Sequence, residues 1–120
     1  MDNNVSVEIT QDGNAAVIAF KATSICNIEQ ITAASQQINN FVDENQPKVI
    51  VFDFKSVKFF SSQILGVLLA VRAKAETYKG KVVISAIEPQ LHRVFRITNL
   101  DKIFEFFSDS KTAVSETGKN

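Results

Sequence analysis

The stretch KVIVFDFKSVKFFSSQILGVLLAVRAKAETYKGKVVISAI, Lys48–Ile87, decides the fold of this chain. It opens with Lys48 to Phe54, a nearly unbroken β-branched and aromatic run, which is how a strand covered on both faces reads. It closes with a second such run, KVVISAI. Between them, after the loop KSVKFFSS, an apolar segment from about Ser62 to Tyr78 has the length of a helix. Lys79-Gly80 ends it, and the glycine suits the left-handed C′ position. Strand, helix and strand in that order form a crossover unit, so the two strands are predicted to be parallel, with VIVFDF as the central one.

Working outward, Val5, Val7 and Ile9 alternate before the turn signal QDGN and the run AAVIAFKA, which predicts a hairpin. Asn27-Ile28-Glu29 opens a helix in which Ile28, Ile31, Ala34, Ile38 and Phe41 recur at three- and four-residue spacing until Asn45-Gln46-Pro47 stops it. On the other side, Glu88-Pro89 opens a third helix with Leu91, Val94 and Phe95 inward and His92, Arg93 and Arg96 outward. TNLDKIFEFF supplies a short strand or edge, and a last helical segment covers Ser108 to Val114. The expected architecture is α/β: one domain over residues 1–114, a mixed sheet of four to five strands, and about four helices. The polar segment 115–120 is expected to fray as a tail.

Composition narrows the functional classes. With 120 residues, 45% hydrophobic content and ten Phe, the chain can build one continuous core without staples. Lysine plus arginine and aspartate plus glutamate stand at 13 each, so no excess positive charge is available for a nucleic-acid backbone or an anionic membrane. A single cysteine cannot form an internal disulfide or a thiolate-rich metal site, which fits a reducing cytoplasm. The N-terminus lacks a basic start and an apolar stretch, and the longest apolar run, Ile64 to Val71, is far short of the ~20 residues of a membrane span. No phosphate-cradling glycine loop, HExxH or CxxC occurs, so no cofactor and no metal are expected.

The Ser61-Ser62 pair falls where the central strand's loop meets a helix N-terminus, a position where N–H groups and the helix dipole favour anions. Two hydroxyls there can cap the helix, act as a nucleophile, or accept a phosphate. Nucleophilic catalysis needs a base, and the only histidine, His92, is expected on the outer face of another helix as a solvated residue. The serines also lack the glycine-flanked elbow of a hydrolase, so no catalytic residue is assigned. Asp53, at the end of the central strand, is read as a structural loop residue whose carboxylate accepts backbone N–H groups. Cys26 is read as a small buried or half-buried apolar residue, with a reactive thiol as its rival. In the second helix, Ile64, Leu65, Val67, Leu68, Leu69 and Val71 surround nearly the whole circumference. Either it is enclosed on all sides or one apolar face is left for a partner.

Taken together, VIVFDF, Ser61-Ser62, Leu65-Gly66-Val67-Leu68-Leu69, Gly80, Val82 to Ile84 and Thr98-Asn99-Leu100 form an ordered set that resembles the STAS domain family, especially its anti-sigma factor antagonists. The resemblance runs from about Lys48 to Phe107, with the hairpin and first helix in matching order before it. It implies a non-enzymatic, cytoplasmic regulator that binds an anti-sigma factor doubling as a serine protein kinase, without direct contact to nucleic acid or membrane. Aligned through LGVLL, the phosphorylated residue would be Ser62, and a frame one residue earlier would nominate Ser61. Ser61, Ser62, Gln63, Leu65 and Gly66 would form the partner contact. Three positions depart from the family pattern: Ser61 stands where Asp is usual, Ile64 replaces a usual glycine, and FKATSICN lacks the acidic residue often found after the second strand. The rival function is a constitutive scaffold or oligomerisation module, a homodimer included, in which the serines only cap.

Overall fold

The structure, a computed structural model, describes residues 7–117. Strands β1 (Val7–Asp12) and β2 (Ala15–Phe20) form the N-terminal hairpin, turning at Gly13, whose φ of 62° favours glycine. The expected strand residue Val5 lies outside the described residues. A short strand β3 (Ser24–Ile25) leads into α1 (Ile28–Asn45), followed by β4 (Val49–Asp53), β5 (Phe59–Phe60) and α2 (Gln63–Glu76). β6 (Lys81–Ser85), α3 (Pro89–Ile97), a 3₁₀ turn (Leu100–Lys102), β7 (Glu105–Phe107) and α4 (Ser110–Thr117) complete the chain. The main sheet has five strands in the order β1-β2-β4-β6-β7, antiparallel only in the hairpin. β4 is central, as its covered composition requires.

The sheet is two-sided because strand side chains alternate. Ile50 and Phe52 of β4 point to the large core shared with α1, α2 and α3, which also takes in Ile18, Phe20, Leu68, Ile84 and Phe95. Val49 and Val51 face the opposite side, where α4 covers Val83 through Ala113. Asn27 caps α1 as read from the sequence, its Oδ1 accepting the Gln30 N–H at 3.0 Å.

Three local expectations change. The left-handed residue that ends α2 is Lys79, at φ 66°, two positions beyond the C-cap Thr77, not Gly80. Gly80 follows it and donates its N–H to the Ala75 carbonyl at 2.7 Å, closing the last turn. Glycine is needed there for space, because a Cβ would stand 2.7 Å from Tyr78 Cε1 and 3.1 Å from the Pro47 carbonyl oxygen. His92 is half-buried, its ring edge-on to Phe106 with centroids 4.5 Å apart, instead of free in solvent. The C-terminal helix runs to Thr117, so residues 115–117, expected in a frayed tail, are helical, and Thr117 is buried.

Asp109 begins α4, accepting the Thr112 N–H at 2.7 Å. That backbone bond, then the Thr112 hydroxyl, hold its carboxyl below the usual carboxylate range. A carboxyl depressed in the folded state stabilises the fold above its unfolded pKa and loses that contribution as pH falls through the folded value. Asp109→Ala is therefore expected to lower the thermal midpoint by roughly a few degrees at neutral pH. The difference from wild type should close in acid, and thermal melts across pH check it.

Candidate functional site: the Ser61-Ser62 loop and the open face of α2

The loop between β4 and α2 is held by backbone pairing. Val57 donates to the Phe54 carbonyl at 3.0 Å, and Lys58 and Phe59 both donate to the Thr23 carbonyl, at 2.7 and 3.1 Å. β5 then pairs in parallel with β3, Ser24 opposite Phe59 and Ile25 opposite Phe60, and Ser61 donates to the Ile25 carbonyl at 3.0 Å. The two phenylalanines of β5 must point opposite ways. Phe60 turns inward, its ring 5.8 Å from Phe54 and 6.2 Å from Phe95. Phe59 turns outward and is 60% exposed. A Lys58–Glu88 salt bridge of 2.7 Å ties the loop to the start of α3.

Ser61 is half-buried, and its hydroxyl donates to Gln63 Oε1 at 3.4 Å. Ser62 is exposed and already helical, φ −61° and ψ −17°, and its side chain makes no capping hydrogen bond. The backbone closes the first turn instead, with the Ser61 and Ser62 carbonyls accepting from Ile64 and Leu65 at 3.1 and 3.0 Å. The hydroxyl of Ser62 is thus not spent on helix stability. Asp53 accepts the Lys55 N–H at 3.0 Å, which fixes the turn after β4.

The helix itself resolves the question posed by its apolar circumference. Ile64, Leu65, Leu68, Val71 and Ala75 are buried, and Val67 and Leu69 are half-buried. Besides Gln63 and Glu76 near its two ends, the helix exposes small residues, Ser62, Gly66, Ala70 and Ala73, which recur at three- and four-residue spacing and therefore share one side. Leu65, expected in the partner contact, is only 7% exposed and belongs to the core, so its side chain supports the helix from beneath. Gly66 is exposed, and a Cβ added there would meet nothing within 4 Å. Neither a close internal approach nor a positive φ calls for glycine at this position.

Gln63, also exposed, lines a groove of about 460 Å³ between α1 and α2, together with Ile31 and Val67 and amides such as Gln36 and Asn39. Ile28 is 61% exposed at its rim. Sequence reasoning missed Phe59 and Ile28 as surface residues. The two-residue alternation of a strand could have flagged Phe59, since one of two adjacent strand phenylalanines must point outward. Cys26 is exposed, not buried, because β3 turns Ile25 inward and leaves the next residue outward. Its sulfur lies 3.4 Å from the Ser24 hydroxyl. Among the described residues no group of three His, Cys, Asp or Glu side chains is arranged to hold a metal, and no helix is long and apolar enough to cross a membrane.

Residues 6–113 match the family model described as STAS domain. A relative described as an anti-sigma F factor antagonist, from Paenibacillus polymyxa, is 20% identical over 112 residues, spanning 93% of this chain and 96% of the relative. The solved anti-sigma factor antagonist SpoIIAA in its unphosphorylated form superimposes with a TM-score of 0.84 at 14% identity, covering 96% of this chain and 98% of that one. The phosphorylated form of SpoIIAA, the Bacillus cell fate determinant, gives a TM-score of 0.73 at 15% identity, over 93% of this chain and 99% of that one. At these identities the structural likeness is one of fold.

Proposed function

The chain belongs to the STAS domain family, and we propose that it acts as an anti-sigma factor antagonist, a non-enzymatic cytoplasmic regulator binding an anti-sigma factor that is also a serine kinase. The contact surface in this reading is the Ser61-Ser62 loop with Gln63 and Gly66 on the open side of α2. Ser62 is the phosphate acceptor, and the partner supplies ATP and the transfer chemistry. The observation that carries the proposal is the pairing of an exposed, uncapping Ser62 with an exposed Gly66 one turn later, a glycine the fold itself does not require. A solvent-facing helical glycine costs about 1 kcal/mol relative to alanine. A partner backbone that approaches closely at this position would make use of the missing side chain. The relative named as an antagonist, and the solution of SpoIIAA in both unphosphorylated and phosphorylated forms, support the same reading.

The switch follows from charge. Unmodified, the strip from Ser62 to Ala73 is neutral and low in relief, so a partner can bury it without desolvating an ion. Phosphate adds about −1.5 to −2 charges at neutral pH, which a helix N-terminus tolerates within the domain. A partner packed over the strip would have to strip water from that charge, and it releases instead.

Two variants at one position test the surface. Gly66→Ala is expected to fold and to gain about 0.5–1 kcal/mol, since the site is open and helical. Gly66→Arg is expected to fold equally well and to lose the partner that co-purifies with the wild-type protein from its native cells. Full retention of that partner by Gly66→Arg sinks the assignment of this face. Self-association lost in Gly66→Arg but unaffected by Ser62→Asp would identify the surface as a scaffold interface instead.

A further inference from the structure

We propose that the outer face of α3 is a second docking surface, built for an acidic segment of a protein partner. Leu91 and Phe95 bury one side of α3, which leaves Arg93, Arg96 and Ile97 together on the other, because residues three and four apart share a helix face. Ile97 is 73% exposed, more than any other large exposed hydrophobic among the described residues. Arg93 and Arg96 are exposed as well. Lys102 follows in the turn tied to this end of the helix, where Asn99 donates to the Arg96 carbonyl at 3.1 Å and Lys102 donates to the Asn99 carbonyl at 3.4 Å.

Charge identifies the occupant. Lys21, Lys58, Arg72, Lys74 and Lys81 each hold a carboxylate within 3.5 Å. Arg93, Arg96 and Lys102 make no salt bridge with a described acid, and although the same holds for Lys48, Lys55, Lys79 and Lys111, these three stand together on α3 and the turn that follows it, beside an exposed isoleucine. On a chain whose charges balance overall, this face gathers three cations near an exposed isoleucine, against one acid, Asp101, in the same turn as Lys102. Arginine at the last turn gains something from the helix dipole, but that gain does not require the adjacent isoleucine to stand in water. Guanidinium groups present a planar fork that pairs bidentately with carboxylates, and Ile97 beside them at the end of the helix offers an apolar anchor. A membrane fits less well, since lipid-binding basic clusters carry about four to eight cations and a broad apolar face. This face is separate from the Ser61-Ser62 loop, so the inference stands or falls independently of the function proposed above.

The test is a titration of the isotope-labelled full chain, followed by NMR, with a synthetic helical peptide bearing glutamate and leucine on one face. A counterpart with every glutamate replaced by lysine serves as control. The expected result is shift changes centred on Arg93, Arg96, Ile97 and Lys102, weakened by salt and absent with the lysine peptide. The doubly substituted R93E/R96E chain, confirmed as folded by its spectrum, should bind at least about tenfold more weakly. Ser62→Asp should bind the peptide as wild type does, which separates this surface from the phosphorylation site. Shifts centred elsewhere, equal binding of both peptides, or unchanged binding by R93E/R96E overturns the proposal. So does sedimentation with phosphatidylglycerol vesicles that R93E/R96E abolishes while the glutamate peptide fails to bind.

Discussion

Replacing Ser62 with aspartate is expected to weaken partner binding by at least about tenfold, a loss of about 1.4 kcal/mol, while leaving the fold's stability within about 0.5 kcal/mol of wild type. The two halves of that expectation have different physical sources. Stability hardly moves because the Ser62 side chain is exposed and caps nothing, so no intramolecular bond is lost. A carboxylate at the start of a helix is, if anything, slightly favourable. Binding falls because the same carboxylate sits on the strip of Gly66, Ala70 and Ala73 and would have to be desolvated under a partner. Ser62→Ala should bind as wild type does and should no longer accept phosphate. Titration calorimetry of both variants with the co-purified partner, beside urea melts of each, reads the two effects separately. A Ser62→Asp chain that binds normally would leave the serine no gating role.

Phe95→Ala is expected to cost about 3–5 kcal/mol, the range for deleting a fully buried phenylalanine. Phe95 stands in edge-on contact with Phe60, Phe104 and Phe106, at centroid distances of 6.2, 6.1 and 5.2 Å. Each such ring pair adds about 0.5–1.5 kcal/mol beyond the area it buries. Against a total stability of roughly 5–15 kcal/mol for a domain, the loss leaves a marginal protein. The effect reaches the Ser61-Ser62 loop, because Phe60 immediately precedes Ser61 and leans on the lost ring. Phe95→Leu should recover more than half of the deficit by refilling most of the volume. Urea denaturation monitored by circular dichroism gives both numbers, and a deficit under about 1 kcal/mol for the alanine variant would contradict this account of the core.

Much of this was legible in the sequence because long periodic segments encode their surroundings. The continuous apolar run from Val49 to Phe52 required cover on both faces and became the central strand, with α1–α3 on one side and α4 on the other. Asn27 announced the cap of α1 through its side-chain chemistry. The two-residue strands were not recognised as strands. β3 and β5, which fix the Ser61-Ser62 loop, are too short to stand out from the surrounding loop, so the alternation that would have turned Phe59 outward was not applied, and the exposure of Cys26 and Phe59 went unread with them. Left-handed positions were obscured for a related reason. Lys79, Ala86, Gln46 and Asn99 all adopt positive φ without being glycine, and of these only asparagine favours that conformation by composition. The apolar circumference of α2 raised the correct question, but burial answered it. The large side chains went into the core, and the small ones were left on the open face.

In the proposed function, Ser62 carries a phosphate that controls docking. The most direct measurement is peptide mapping by mass spectrometry of the protein recovered from its native cells, with the partner-bound and free fractions separated first. Phosphate is expected on Ser62 in the free fraction and absent from the bound one. Phosphate on Ser62 in both fractions alike, or a chain unmodified throughout and bound only to copies of itself or to a constitutive partner, would contradict it.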